Sequence, residues 1–173
     1  MNRIPNPEQC LELLKKNGCS EEVILHCLAV RDIAVRIARK TKADIALVEA
    51  GALLHDIGRS KTHGIRHAVE GAVLAQSLGL PPEIILIIER HMGAGIPQEE
   101  TERLGLPTKD YMPETLEEKI VAHADNLING SEQQHIEKEI TKAEQKGQKK
   151  YAYRLRRLHT ELSEICGMDL NDI

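Results

Sequence analysis

The sequence predicts an all-α, single-domain bundle of about seven or eight helices, and three observations carry that prediction. The first is composition. A chain of 173 residues with no Phe and no Trp must build its core from Leu, Ile, Val and Ala, side chains that suit closely packed helices. The second is periodicity. Apolar residues recur at spacings of three and four along most of the chain, and no segment shows the period-two alternation of a half-buried strand. The third is punctuation: helix-starting Ser, Thr, Asp and Asn and helix-ending Gly bracket those apolar stripes one after another.

Taken in order, Asn6 and Pro7 form an N-cap and first helical residue, Leu11, Leu13 and Leu14 follow, and Gly18 ends the first helix. Ser20 caps the second, with Glu21 and Glu22 at its positive end. Its inward stripe is Val23, His26, Val30, Ile33 and Ile37. Asp44 caps a third helix, whose run Ala50-Gly51-Ala52-Leu53-Leu54 delivers His55 and Asp56 side by side before Gly58. Residues 59–66 are polar, contain Gly64 and read as a loop. The next helix places His67, Gly71, Leu74 and Leu78 on one stripe and ends at Gly79. Pro81 and Pro82 open another, in which His91 shares the stripe of Ile84, Ile87 and Ile88. Gly93 and Gly95 break it.

Residues 96–114 form a long connection or a short helix between loops, and long loops in compact domains often serve as lids. Thr115 and Glu118 make a capping box. Val121, Asp125 and Ile128 then face inward on a helix closed by Gly130. From 131 onward Glu, Lys and Gln dominate. This part reads as one or two exposed helices with a break at Gly147 and an apolar seam of Leu155, Leu158, Leu162 and Ile165. The chain thus divides into an N-terminal helix (1–19), a core (20–130) and a charged C-terminal helical region (131–173) packed on or extending the same domain.

Composition excludes several classes. A net charge of −4 argues against a general nucleic-acid coat. No apolar run approaches the roughly 18 residues of a membrane span, and the start MNRIPNPEQ lacks an apolar signal region. Cys10, Cys19, Cys27 and Cys166 form no CxxC pair, so they read as reduced thiols in a cytoplasmic protein.

The chemistry lies in six polar residues aimed inward: His26, His55, Asp56, His67, His91 and Asp125. They come from five helices. Burying an unpaired carboxylate costs several kcal/mol or forces it neutral. Imidazole and carboxylate are both good first-row metal ligands, so a metal ion resolves the cost for all six at once. His63 rivals His67, but Gly64 argues against a continuous helix there. His123, His135 and His159 point elsewhere and are read as non-ligands.

The order His26, His55-Asp56, Asp125 resembles the HD superfamily of metal-dependent phosphohydrolases, with the pair in the form His55-Asp56-Ile57-Gly58. His67 and His91 resemble the extra histidines of its binuclear branch, which includes HD-GYP phosphodiesterases and HD-type diadenosine tetraphosphate hydrolases. The resemblance covers about residues 20–130. There is no GYP after His91, where the sequence reads GAGIPQ, and Arg59 stands where a Lys is usual.

The resemblance implies an HD-type bundle. It further implies a site with Asp56 bridging two metals, His26, His55 and Asp125 completing one, and His67 and His91 the other. Such a ligand set suits Mn, Fe, Co, Ni or Zn better than Mg or Ca. The implied activity is hydrolysis of a nucleotide or related phosphate ester by a metal-activated hydroxide, with His55, Asp56 and Arg59 as the catalytic group. Arg59, Lys61, Arg66, Arg90 and Asn126 are the candidate substrate contacts. Two alternatives stand beside it. One is a mixed-valent di-iron oxygenase using the same ligands. The other is an RNA-associated module, because seven basic residues and one acidic residue lie between Lys142 and Arg157. The C-terminal seam could also join two copies in a homo-oligomer.

Overall fold

The helix Ile45–Leu54 (α3) lies at the centre of the fold because it has no polar face to offer solvent: seven of its ten residues are buried. In the computed structural model, which describes residues 3–173, four helices pack directly on it. These are α1 (Pro7–Lys16), α2 (Glu21–Ala38), α5 (Pro82–Glu89) and α7 (Leu116–Asn126). Around them run α4 (His67–Ser77), the short α6 (Gln98–Thr101), α8 (Ile136–Gln145) and α9 (Lys149–Cys166). Nine helices are therefore present among the described residues, slightly more than expected, in an all-α architecture.

A side-chain cap sets four of the helix starts. The Asn6 side chain accepts from Gln9 N–H, and the Gln9 side chain accepts from Asn6 N–H, a complete capping box. Ser20, Asp44 and Thr115 each accept from the backbone three residues on, the usual satisfaction of orphan N–H groups.

One core gathers residues from both ends of the chain. Cys10 and Leu14 of α1 and Ala152, Leu155, Leu158 and Leu162 of α9 join the aliphatic side chains of α2, α3, α5 and α7. The C-terminal seam is thus spent on the same core. A second small cluster, Ile96, Leu106 and Tyr111, holds the 96–114 segment, which pairs with itself through Ile96 and Tyr111. No helix among the described residues is long and apolar enough to cross a membrane.

Several local expectations are corrected. The 59–66 loop begins inside a 3-10 turn, Ile57–Ser60. Helix α7 ends at Asn126, four residues before Gly130. The chain then forms a hairpin, β1 (Ile128–Asn129) with β2 (Glu132–Gln133), and Gly130 sits in its turn at φ 63°. Thr115 and Glu118 make only half of a capping box, because the Glu118 carboxylate accepts from Arg90 and Glu114 instead. A guanidinium outcompetes a backbone N–H for a buried carboxylate. Leu78 and Ile165 lie on the rims of their stripes and are 37% and 47% exposed.

Candidate metal centre

Five helix ends or faces bring the six residues together. His55 closes α3, and Asp56 leads into the 3-10 turn. His67 opens α4, His91 follows α5, Asp125 lies in the last turn of α7, and His26 projects from α2. The approach of the turn to α4 depends on two glycines. A Cβ on Gly58 would overlap the His67 carbonyl oxygen and come within 2.6 Å of Gly71 N, so the two backbones touch only because both residues lack side chains.

The four histidines share one orientation. Each turns Nδ1 toward a backbone carbonyl: His55 to Ala52 at 2.7 Å, His67 to Gly64 at 2.9 Å, His91 to Ile88 at 2.7 Å and His26 to Gly130 at 2.6 Å. With Nδ1–H donating, each neutral ring presents an Nε2 lone pair to the centre. Those lone pairs meet other acceptors. His67 Nε2 lies 3.1 Å from His91 Nε2, and His26 Nε2 lies 2.9 Å from Asp125 Oδ1. His55 Nε2 and Asp56 Oδ1 are buried without a hydrogen-bond partner.

Asp56 divides its two oxygens between the two halves of the cluster. Its Oδ1 lies 3.1 Å from His67 Nε2 and 3.3 Å from His91 Nε2. Its Oδ2 lies 3.6 Å from His55 Nε2 and 3.7 Å from His26 Nε2. Two overlapping groups have ligand atoms close enough together to hold a metal ion, His26 with His55 and Asp125, and His55 with Asp56 and His91.

Apart from Arg59 on Asp56 Oδ2, no donor meets the acceptors that converge here, so they call for positive charge, and the electrostatics agree. Burial opposes ionisation of Asp56, yet His55, His67 and His91 outweigh it and hold the carboxyl well below the usual range. Burial likewise opposes a charge on His55, yet Asp56 and Asp125 raise it well above the ordinary imidazole value. Asp125 is also lowered, its burial outweighed by His55 and His26. A divalent cation supplies the same compensation at neutral pH, so the residues present fit a metal.

The other candidate residues separate into those near the cluster and those turned away. Arg59 Nε donates to Asp56 Oδ2 at 2.8 Å, and its Nη1 reaches the His63 carbonyl at 3.3 Å. Lys61 is exposed at the end of the 3-10 turn. Asn126 Nδ2 donates to Gly93 O at 3.1 Å, joining α7 to the chain just after His91. Arg66 places its Nη1 on Gly105 O at 3.0 Å and its Nη2 3.6 Å from Glu70. Arg90 is paired with Glu118 at 3.0 Å and Glu114 at 3.4 Å. His63 and His135 are exposed, and His123 is buried against His159 at 2.8 Å.

Sequence reasoning missed Tyr151 and Arg154 of α9. Tyr151 lies against Gly93, where a Cβ would collide with its ring and hydroxyl. The available signal was a tyrosine inside the basic run of a chain with three tyrosines and no other aromatic side chains of the Phe or Trp type.

The profile of the HD domain matches residues 23–130. A tRNA (cytidine(56)-2'-O)-methyltransferase of Picrophilus torridus is 48% identical over 170 residues, which span 98% of this chain and 50% of that protein. An uncharacterized protein of Methanocaldococcus jannaschii is 54% identical over 144 residues, 80% of this chain and 85% of the relative. The chain spans about half the length of the curated methyltransferases it matches. The HD domain of the L. monocytogenes phosphodiesterase PgpH, solved with cyclic-di-AMP, shares the fold with a TM-score of 0.60 at 20% identity, covering 89% of this chain and 96% of that one. These findings overturn the expected hydrolase. The likeness to a phosphodiesterase is one of fold, whereas relatives similar over almost the whole chain are named for methyl transfer to RNA.

Proposed function

We infer that this chain, which belongs to the HD domain family, is an RNA-associated module that holds a divalent metal and works with transfer RNA in ribose 2'-O-methylation. The observation that carries the reading is 48% identity across 170 of 173 residues to a protein named for that reaction and twice as long. Such similarity along the chain supports a fold shared with half of such an enzyme, and the role proposed for this half is to engage the RNA.

The cluster supports the metal part of the reading. The proposed ligands are His26, His55, Asp56, His67, His91 and Asp125, with Mn, Fe, Co, Ni or Zn the suitable ions. When bound, such an ion supplies a positive centre for a phosphate or ribose oxygen. The residues around it do the positioning. The four Nδ1–H groups fix the imidazole orientations through backbone carbonyls. Arg59 steadies Asp56, and exposed Lys61 is the adjacent charge free to meet a phosphate. The basic residues of 142–157 that carry no ion pair among the described residues, Lys146, Lys149, Lys150 and Arg157, would supply sequence-independent backbone contacts.

The test is fluorescence anisotropy with a labelled transfer RNA transcript at 100 mM salt, comparing metal-loaded chain, chelator-treated chain and His55→Ala. We expect a Kd below about 10 µM, since non-specific binding alone is about 1–100 µM or weaker, tighter binding of transfer RNA than of a homopolymer of equal length, and at least a threefold loss on metal removal. Equal affinity for transfer RNA and homopolymer would overturn the reading, as would a Kd above about 100 µM.

A further inference from the structure

Beside the metal cluster lies a groove of about 570 Å³, within the range of roughly 300–1,000 Å³ of pockets that enclose small ligands. One wall is the chain immediately after His91, from Met92 to Ile96. The other is the first turn and a half of α9, from Lys149 to Arg154. That second wall lies outside the residues matched by the HD domain, 23–130.

The groove has an apolar floor and a cationic rim. Ile65, Met92, Ile96 and Leu104 form the floor. Arg103, Lys149 and Lys150 stand on the rim, all exposed and with no ion-pair partner among the described residues. Arg154 takes both oxygens of Glu100, at 3.0 and 2.9 Å, and so cancels one of the two acids on the rim. Only Glu99 remains against three free cations, in a chain whose net charge is −4.

Tyr151 marks the inner end. Its ring lies against Gly93, and its hydroxyl makes no hydrogen bond among the described residues. Burial, with Glu139 and Asp125 adding to it, pushes the phenol up to about 12, so it remains an O–H donor at neutral pH.

An apolar surface with three cations and one hydroxyl donor at its edge complements a molecule that carries a flat base and an anionic phosphate a few ångströms apart. We propose that the groove binds one nucleotide of a single-stranded RNA segment, with its base on Ile65, Met92, Ile96 and Leu104 and its phosphates on Arg103, Lys149 and Lys150. The Tyr151 hydroxyl donates to the same nucleotide. The inference rests on the RNA-associated reading and assigns it a place on the molecule: the RNA enters along α9 and passes beside the metal ligands. Apolar and phosphate contacts of this kind carry little sequence information, so sequence choice would come from elsewhere.

The test uses the full metal-loaded chain, the labelled transfer RNA transcript and an eight-nucleotide single-stranded RNA, with anisotropy read between 50 and 200 mM salt. The variant Arg103→Ala/Lys149→Ala/Lys150→Ala is compared with Lys15→Ala/Arg39→Ala/Lys40→Ala, which removes the same charge from exposed positions on α1 and just after α2. We expect the groove variant to bind at least tenfold more weakly, and its log–log salt slope to fall by about 2, since each single-strand contact contributes about 0.7. The control should lose less than threefold. Tyr151→Phe, which keeps the ring, should lose threefold or more with an unchanged melting temperature and metal content. Equal losses in the two triple variants, or a groove variant that binds like the parent, would overturn the groove assignment and leave the module reading standing. A parent chain that binds neither RNA at 50 mM salt would overturn the module reading itself.

Discussion

Gly58→Ala tests whether the seam between the 3-10 turn and α4 positions the metal cluster. The added Cβ would overlap the His67 carbonyl oxygen and lie 2.6 Å from Gly71 N and 2.8 Å from Gly71 Cα. All three are backbone atoms, so no rotamer change relieves the contact. The turn and the helix must part until these distances approach the 3.4 Å of ordinary van der Waals contact. Overpacking of this kind costs about 1–3 kcal/mol and occasionally more. For a chain of this size each kcal/mol lowers the melting temperature by about 2–4 °C, so a loss of roughly 4–10 °C is expected near the upper part of that cost. The same parting stretches the 3.1 Å approach of Asp56 Oδ1 to His67 Nε2, so metal affinity should fall in parallel, measured by competition with a chromogenic chelator. Gly64→Ala is the internal control. Its nearest neighbour would be Thr62 Oγ1 at 3.7 Å, and its φ lies outside the left-handed region. Alanine there should be neutral or stabilising by about 0.4–1 kcal/mol. If Gly58→Ala melted and bound metal like Gly64→Ala, the seam would have no positioning role.

Other outcomes follow from the same geometry. His67→Ala and His91→Ala should each reduce metal content by about one ion per chain by elemental analysis, and unchanged content in both would remove them from the proposed ligand set. Glu118→Ala leaves Arg90, whose side chain is 15% exposed, with only Glu114 for a partner. Breaking a buried pair costs about 3–5 kcal/mol, so the melting temperature should drop by at least about 6 °C, with Glu118→Gln less affected; a drop under 2 °C would show the pair to be incidental. Burial pushes the Cys10 thiol up to about 12 and, with Cys27 and Asp56 adding to it, Cys19 up to about 11. Both therefore stay protonated until well above neutrality. At pH 8 a thiol at about 11 is only about 0.1% thiolate, against about a quarter for an ordinary cysteine. Labelling of Cys19 by iodoacetamide should be some hundredfold slower in native than in unfolded chain, and equal rates would refute that burial.

The helices were legible because caps and stripes are local. Asn6, Ser20, Asp44 and Thr115 each bond the backbone three residues on, an interaction that needs no tertiary partner. The cluster was legible for a related reason: a polar residue on an apolar stripe must be paid for by something inside. Even the ring orientations of His55, His67 and His91 are set locally, each by the carbonyl three residues earlier. His26 is the exception, since its carbonyl comes from Gly130, 104 residues away.

Long-range packing decided the rest. Arg90 adjoins His91 in sequence, yet it is claimed by Glu118, 28 residues on. The groove exists only because α9 brings Tyr151 against Gly93, and neither segment announces the other. The sequence by itself therefore determined the helices and the six converging polar residues, through short-range hydrogen bonds and burial. Tertiary structure decided which charges stay free to meet a ligand, because that depends on which distant side chain reaches each one first. The six residues did not specify the chemistry: imidazoles and carboxylates so placed could hold a cation, while the reaction depends on what is held beside it.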